Sequence, residues 1–291
     1  MSAHRRATHA GSWYTDDGKE LSGQLDAWLG KVGEAIMPGA RAIIAPHAGY
    51  SYSGPTAAYA YKQIVPDNVR RVFVLGPSHH VYIQGCALTS TTTYDTPIGN
   101  LKIDRDTNKD LEATGQFEHM DIQTDEDEHS IEMHLPYVAK VMEGKDFTVV
   151  PVLVGALDSK LEQEYGKIFA PYLEDPSNLF VISSDFCHWG RRFGYTYVPP
   201  GHDAIYKGIE HLDKQGMDII EKQDAKGFRA YLQECENTIC GRNPISILLN
   251  ALQVLKDRQK EVKFLHYAQS NPCKSTRDSS VSYASAAVLI S

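Results

Sequence analysis

The chain has 291 residues, with 29 Lys and Arg against 37 Asp and Glu, a formal charge of −8 at pH 7; 42% of residues are hydrophobic and 23% charged. This is globular composition, long enough to bury a large core without disulfide or metal staples, so a wholly disordered chain is excluded. The acidic balance argues against nucleic acid as a main partner, because phosphate binding needs clustered Lys and Arg and the basic residues form only short pairs such as Arg70-Arg71 and Arg191-Arg192.

The N-terminal stretch Met1 to Ser12 is basic and polar and lacks the apolar core of a secretory signal. Arg41 to Pro46 reads as a buried strand and Thr56 to Ile64 as a helix. Arg71 to Leu75 is a second strand, Phe147 to Val154 a third and Leu179 to Ser183 a fourth, with a polar-faced helix at Ser159 to Leu173. These runs are continuously apolar rather than alternating, which predicts strands buried on both faces. Beyond Trp189 the pattern turns helical at His202–Gln223, Ala225–Glu236 and Asn243–Arg258, the last with Pro244 at its first helical position. Two late strands, Glu261–Gln269 and Ser280–Ile290, join the same sheet. No linker, repeat or low-complexity tract interrupts this order, which predicts one α/β domain over residues 1–291. Its central sheet is mixed and largely buried, with helices on both faces.

The five cysteines, Cys86, Cys187, Cys235, Cys240 and Cys273, are odd in number, widely spaced and without a CxxC pair. That argues against a secreted disulfide framework, a zinc ribbon or a thioredoxin site. No apolar run approaches the roughly 18 residues of a membrane span. A soluble intracellular protein, with no membrane insertion, is predicted.

The twelve histidines are the unusual stock. Three predicted strands run out through small or turn-forming residues into a histidine: Ala45-Pro46-His47, Gly76-Pro77-Ser78-His79-His80 and Ser183-Ser184-Asp185-Phe186-Cys187-His188. Open α/β sheets bind ligands outside the carboxyl ends of their strands, and neighbouring strands lie about 4.8 Å apart. Imidazoles on adjacent strand ends therefore converge on one metal ion or one substrate, and imidazole suits both metal ligation and proton transfer near neutral pH. A single histidine at a strand end is more often structural; three alike point to a site. Asp185, three residues before His188, reads either as a carboxylate that orients an imidazole or as a turn residue. Cys240 precedes a predicted helix start, where the helix dipole favours a thiolate able to ligate metal. A small buried hydrophobe is the equal alternative.

In Asp125-Glu126-Asp127-Glu128-His129-Ser130-Ile131-Glu132-Met133-His134, the two histidines are separated by about 140° beyond a full helical turn, so no HExxH zinc site is predicted. Ile131, Leu135, Val138 and Met142 form a core stripe. The acidic run reads as a solvated helix start, with His129 or Glu132 able to reach a site. There is no GxSxG elbow, phosphate-binding loop or GxGxxG turn, which removes support for serine hydrolase and nucleotide-dependent readings.

At these residues the sequence closely resembles the Memo family (mediator of ErbB-receptor-driven cell motility). The resemblance rests on His9-Ala10-Gly11-Ser12-Trp13-Tyr14, Pro46 to Tyr50, Gly76 to His80, Thr124 to Tyr137, Pro151 to Ala156, Ser183 to Gly190, Asn237 to Arg242 and Asp278 to Tyr283. It implies a fold similar to class III extradiol ring-cleaving dioxygenases, which hold non-haem iron with two His and one Glu. It implies His47 and His79 as metal ligands and His188 as the acid/base, here with Asp185 beside it. Cys240 stands where the dioxygenases have Glu. Thiolate shifts metal preference toward copper or zinc and is itself oxidisable, which disfavours ring cleavage. The family's vestibule residues correspond to Trp13, His47, His79, His188 and Cys240, with His80, His129 and Glu132 as further candidates. The resemblance thus implies a copper- or iron-binding redox protein in receptor tyrosine kinase signalling to motility and the cytoskeleton, cytoplasmic and also nuclear. The alternatives are an adaptor that binds a phosphotyrosine peptide of the receptor, and an iron-dependent aromatic ring dioxygenase.

Overall fold

The apolar runs lie side by side as expected. The computed structural model describes residues 4–291. In chain order its elements are β1 (His4–Arg5), α1 (Gly18–Val32), β2 (Ala42–Ala45), α2 (Tyr50–Tyr61), β3 (Arg71–Pro77), β4 (Cys86–Thr89), β5 (Thr93–Tyr94), β6 (Leu101–Lys102), α3 (Arg105–Glu112), β7 (Phe117–Met120), α4 (Ile122–Asp127), α5 (His129–Glu132), α6 (Leu135–Val141), β8 (Thr148–Val154), α7 (Ser159–Glu174), β9 (Asn178–Ser183), β10 (His188–Trp189), α8 (Ile205–Glu221), α9 (Ala225–Cys235), α10 (Arg242–Val254), β11 (Lys260–Gln269) and β12 (Ser280–Ile290).

The main sheet has the order β10-β12-β2-β9-β3-β8-β4-β7, with β11 paired to β12. Its centre, β2-β9-β3-β8, is all parallel, whereas β12 and β4 join antiparallel on either side. The fold is therefore mixed α/β. Alternate residues of each central strand feed opposite faces. Ile43, Ala45, Val72 and Val74 pack with Leu21 and Leu25 of α1, Ala57 of α2 and Leu135 and Val138 of α6. Ala42, Ile44, Phe73 and Leu75 pack with Phe169 of α7, Ile209 of α8, Phe228 of α9 and Leu249 of α10. Both faces are thus covered by apolar stripes of helices, which explains why the strands read as unbroken apolar runs. Asp17, Asp158 and Asp224 cap α1, α7 and α9 by accepting from backbone N–H groups at 2.8 Å, each worth about 1 kcal/mol. No described helix is long and apolar enough to cross a membrane.

Three local expectations are corrected. The helix expected from Thr56 begins at Tyr50, directly out of the turn after β2, and accommodates Pro55 at the loss of a backbone hydrogen bond. The helix expected to carry Pro244 at its first position begins at Arg242. Proline is still harmless there, because the first-turn N–H groups have no intrahelical acceptor. The acidic run is not a solvated helix start. Asp125, Glu126 and Glu128 are all buried, because the segment breaks into α4 and α5 and turns its carboxylates inward onto Arg5, Arg6 and His79.

Candidate metal centre

Strand β9 lies between β2 and β3, and the two flanking strands carry His47 and His79 two residues beyond their ends. The last residue of β9, Ser183, holds the first of these rings. Its hydroxyl donates to the Ser130 carbonyl at 2.7 Å, so its lone pairs must accept from His47 Nδ1 at 2.7 Å and His134 Nε2 at 2.9 Å. His134 in turn accepts from the Tyr61 hydroxyl at 2.7 Å through Nδ1. This assignment fixes the His47 tautomer with its proton on Nδ1 and its lone pair on Nε2. Burial, reinforced by His79, His129, His134 and His188, pushes the His47 pKa far down. Burial alone takes His134 to about 3. Both rings are neutral at physiological pH.

His79 is fixed in the same sense by a different group. Glu128 accepts from His79 Nδ1 at 2.9 Å and from the His79 backbone N–H at 2.7 Å, and it caps α5 through Ser130 N–H. Burial works against the carboxylate, but its hydrogen bonds with His79 and Ser130 prevail and hold its pKa at about 2. An ionised carboxylate only accepts, so His79 carries its proton on Nδ1 and presents Nε2. Close approach of α5 to the end of β3 depends on Gly76: a Cβ there would lie 2.5 Å from Ser130 Oγ and 2.7 Å from Ile131 Cγ1.

Cys240 Sγ lies 3.2 Å from His47 Nε2. Donor atoms of His47, His79 and Cys240 all fall within 4.8 Å of one another, so this group can hold a metal ion. The helix-start effect expected at Cys240 does not govern the thiol. Burial, with Asp185 alongside, pushes its pKa up, so the free protein carries a thiol that donates toward His47. A metal taken up here must displace that proton. His79, Glu128 and His129 form a second group within the same span, although Glu128 is already committed to orienting His79.

His188 lies on β10 rather than at the end of β9. Its Nδ1 faces the carbonyls of Phe186 at 2.9 Å and Thr238 at 3.2 Å, so it too presents a free Nε2. Asp185 accepts from the His47 backbone N–H at 2.8 Å, and burial raises its pKa. Its Oδ2 is 3.9 Å from His47 Nε2. Trp13, His47, His79, His129, Asp185 and His188 line a cleft of about 440 Å³. The His129 ring stacks on His79 at 4.3 Å and lies 4.4 Å from Trp13; burial chiefly lowers its pKa to about 3. The outer cleft is made by Tyr52, Arg192, Phe193, Asn271 and Tyr283.

The other candidates fall elsewhere. His80 is exposed, with its ring 5.9 Å from that of His129. Glu132 is fully buried and accepts from Arg5, His9 and Tyr14 rather than lining the cleft. Sequence reasoning missed Glu128, Ser183 and Arg192. Of these, only Arg192 left a signal, as half of a basic pair beside a predicted strand end.

Donor groups gathered where parallel strands end mark an α/β protein with a candidate ligand or metal crevice. Within that class the relationship is specific. A family model of Memo-like proteins matches residues 5–287. The chain is 57% identical to Protein MEMO1 of Mus musculus and 56% identical to that of Homo sapiens, in each case over 98% of this chain and 97% of the relative. It is 52% identical to the Protein memo-1 homolog of Caenorhabditis elegans, over 98% of this chain and 83% of that one. The chain belongs to the Memo family.

Proposed function

We propose that this protein binds copper or iron through His47, His79 and Cys240 and works as a redox protein in receptor tyrosine kinase signalling to the cytoskeleton, in the cytoplasm and nucleus. One observation carries the metal reading. The two imidazoles have their Nδ1 atoms engaged by Ser183 and Glu128, which leaves each Nε2 without a protein partner of that kind; His47 Nε2 lies 3.2 Å from the Cys240 thiol, and donor atoms of all three residues fall within 4.8 Å of one another. Partners of this kind on the far nitrogen are what orient ligating imidazoles. The donor set fits the ion: two neutral nitrogens and one soft sulfur suit copper, and tolerate iron, better than hard oxygen-binding cations. Bound there, the ion would supply one-electron redox chemistry. The chain itself holds the rings in one tautomer, releases the Cys240 thiol proton to solvent on binding, and leaves the side facing His188 open for a small reactant or proton. Signalling is assigned on family membership.

The outer cleft favours a second reading, a phosphotyrosine peptide. Arg192 lies over the Phe193 ring at 4.5 Å beside exposed Tyr52 and Trp13, a setting that suits an aromatic ring bearing an anion. Ring-cleaving dioxygenase activity is the weakest reading, because the third donor is sulfur and not carboxylate.

Metal content of tag-free protein after anaerobic loading with Cu(I) or Fe(II) tests the proposal. One equivalent is expected for the wild type, and weakened uptake for Cys240→Ala. Equal uptake by both, or none by the wild type, would overturn it. A titration with tyrosine-phosphorylated and unphosphorylated peptide tests the second reading: phosphorylation-dependent affinity should fall in Arg192→Ala.

A further inference from the structure

Arg5 is the most completely buried cation of the described residues, and it reaches the centre from the far end of the sequence. Its guanidinium donates to the Asp125 carbonyl at 2.9 Å, Asp125 Oδ1 at 3.0 Å, the Arg6 carbonyl at 2.9 Å, Glu132 Oε2 at 2.7 Å and the Glu128 carbonyl at 3.0 Å. Its side chain is 0% exposed, and it neutralises two carboxylates that are themselves buried. Two of these contacts lead to the cleft. Glu128 is held at its carbonyl by Arg5 and at its carboxylate holds the His79 ring, so one residue separates the guanidinium from a donor of the centre. Glu132 gathers the N-terminal segment, accepting from the His9 backbone N–H at 2.9 Å, His9 Nδ1 at 2.8 Å and the Tyr14 hydroxyl at 2.8 Å. Trp13, between these two anchors, packs against His129, and His129 packs against His79.

We infer that Arg5 is a positioning residue for the His47–His79–Cys240 centre: through Glu128 it fixes the tautomer and direction of His79, and through Glu132 it seats Trp13 at the cleft wall. This rests on the proposed metal reading for its consequence, but the positioning itself is a property of the metal-free protein. A planar fork reaches all five acceptors, with Nε–H shared between the two Asp125 oxygens. Lysine keeps the charge yet has three donors, and methionine leaves two buried carboxylates without their counter-charge.

The test compares wild type, Arg5→Met, Arg5→Lys and Arg71→Met. Arg71 is a control for stability loss, because its ion pair with Asp104 at 2.7 Å sits at the opposite end of β3. Long-range imidazole nitrogen NMR of metal-free protein reports the His79 tautomer, with His79→Gln as assignment. Cobalt(II) titration reports affinity and the thiolate-to-cobalt absorption band. Expected is a single Nδ1–H tautomer in wild type and Arg71→Met, and a mixed signal in Arg5→Met, with cobalt affinity reduced at least ten-fold and the band shifted. Arg5→Lys should fall between and carries the test should Arg5→Met not fold. A folded Arg5 variant with the wild-type His79 signal would overturn the inference. Absence of cobalt uptake by the wild type would instead refute the metal reading, and the NMR comparison would still decide the role of Arg5.

Discussion

Replacing Ser183 with alanine removes one hydroxyl and leaves three buried groups without partners: His47 Nδ1–H, His134 Nε2–H and the Ser130 carbonyl. Ser183, Ser130 and His134 are 0% exposed and His47 is 1% exposed, so water cannot readily take over. An unpaired buried polar group costs about 1–3 kcal/mol. Allowing for partial relaxation of two rings that share the site, Ser183→Ala should lose about 3–6 kcal/mol of stability. The same change frees the His47 ring, and loss of such an orienting partner typically lowers metal affinity about 10–100-fold. Urea unfolding followed by circular dichroism gives the first quantity and metal titration of the folded variant the second. A stability loss below about 1 kcal/mol together with wild-type metal affinity would refute the tautomer assignment on which the site is built.

Acid should destabilise the protein well above the carboxylate range. His129 and His134, with native pKa values of about 3, stay neutral in the folded state while the unfolded chain takes up protons below about 6.5. Linkage then removes roughly 2 kcal/mol per histidine between pH 7.5 and 5. Glu128 and Glu132, held at about 2, contribute stability that is complete above about 4.5 and lost as pH falls toward 2, while Asp125, raised by burial, acts in the opposite sense. A urea midpoint unchanged between pH 7.5 and 5 would contradict this. Gly241→Ala places a Cβ 2.3 Å from the Ser183 carbonyl oxygen and 2.3 Å from Ser184 Cβ. It should lower stability by about 1–3 kcal/mol and weaken metal uptake, because the strain is relieved by moving the adjacent Cys240; unaltered metal affinity would show that Cys240 is not a ligand. Metal affinity should also rise with pH, because the half-buried Cys240 thiol must lose its proton on binding, and Cys240→Ala should flatten that dependence.

The strand ends were legible because β2 and β3 are apolar runs that stop abruptly at proline, small residues and histidine. That pattern survives folding unchanged, and it puts His47 and His79 at the carboxyl end of the central strands. What surrounds those rings was not legible. Ser183 is an ordinary strand residue until β9 is known to lie between β2 and β3, an order that no local pattern encodes. Glu128 looked like part of a solvated acidic run, because its partners Arg5 and His79 are distant in sequence and only the fold turns the run inward. At Cys240 the sequence leaves a helix-start thiolate and a small hydrophobe as equal readings, and only the fold, which sets the half-buried thiol beside Asp185, shows desolvation outweighing the dipole. The amphipathic α1 and the short strands β4 and β7 escaped notice: α1 shows its apolar stripe chiefly through Leu21 and Leu25, and strands of four residues carry little periodicity.

The most direct test of the centre is X-ray absorption at the metal edge of Cu(I)-loaded, tag-free protein. One sulfur and two imidazole nitrogens are expected in the wild type, with the sulfur lost in Cys240→Ala. A shell of nitrogen and oxygen alone in the wild type would contradict the assignment of His47, His79 and Cys240 as the metal centre.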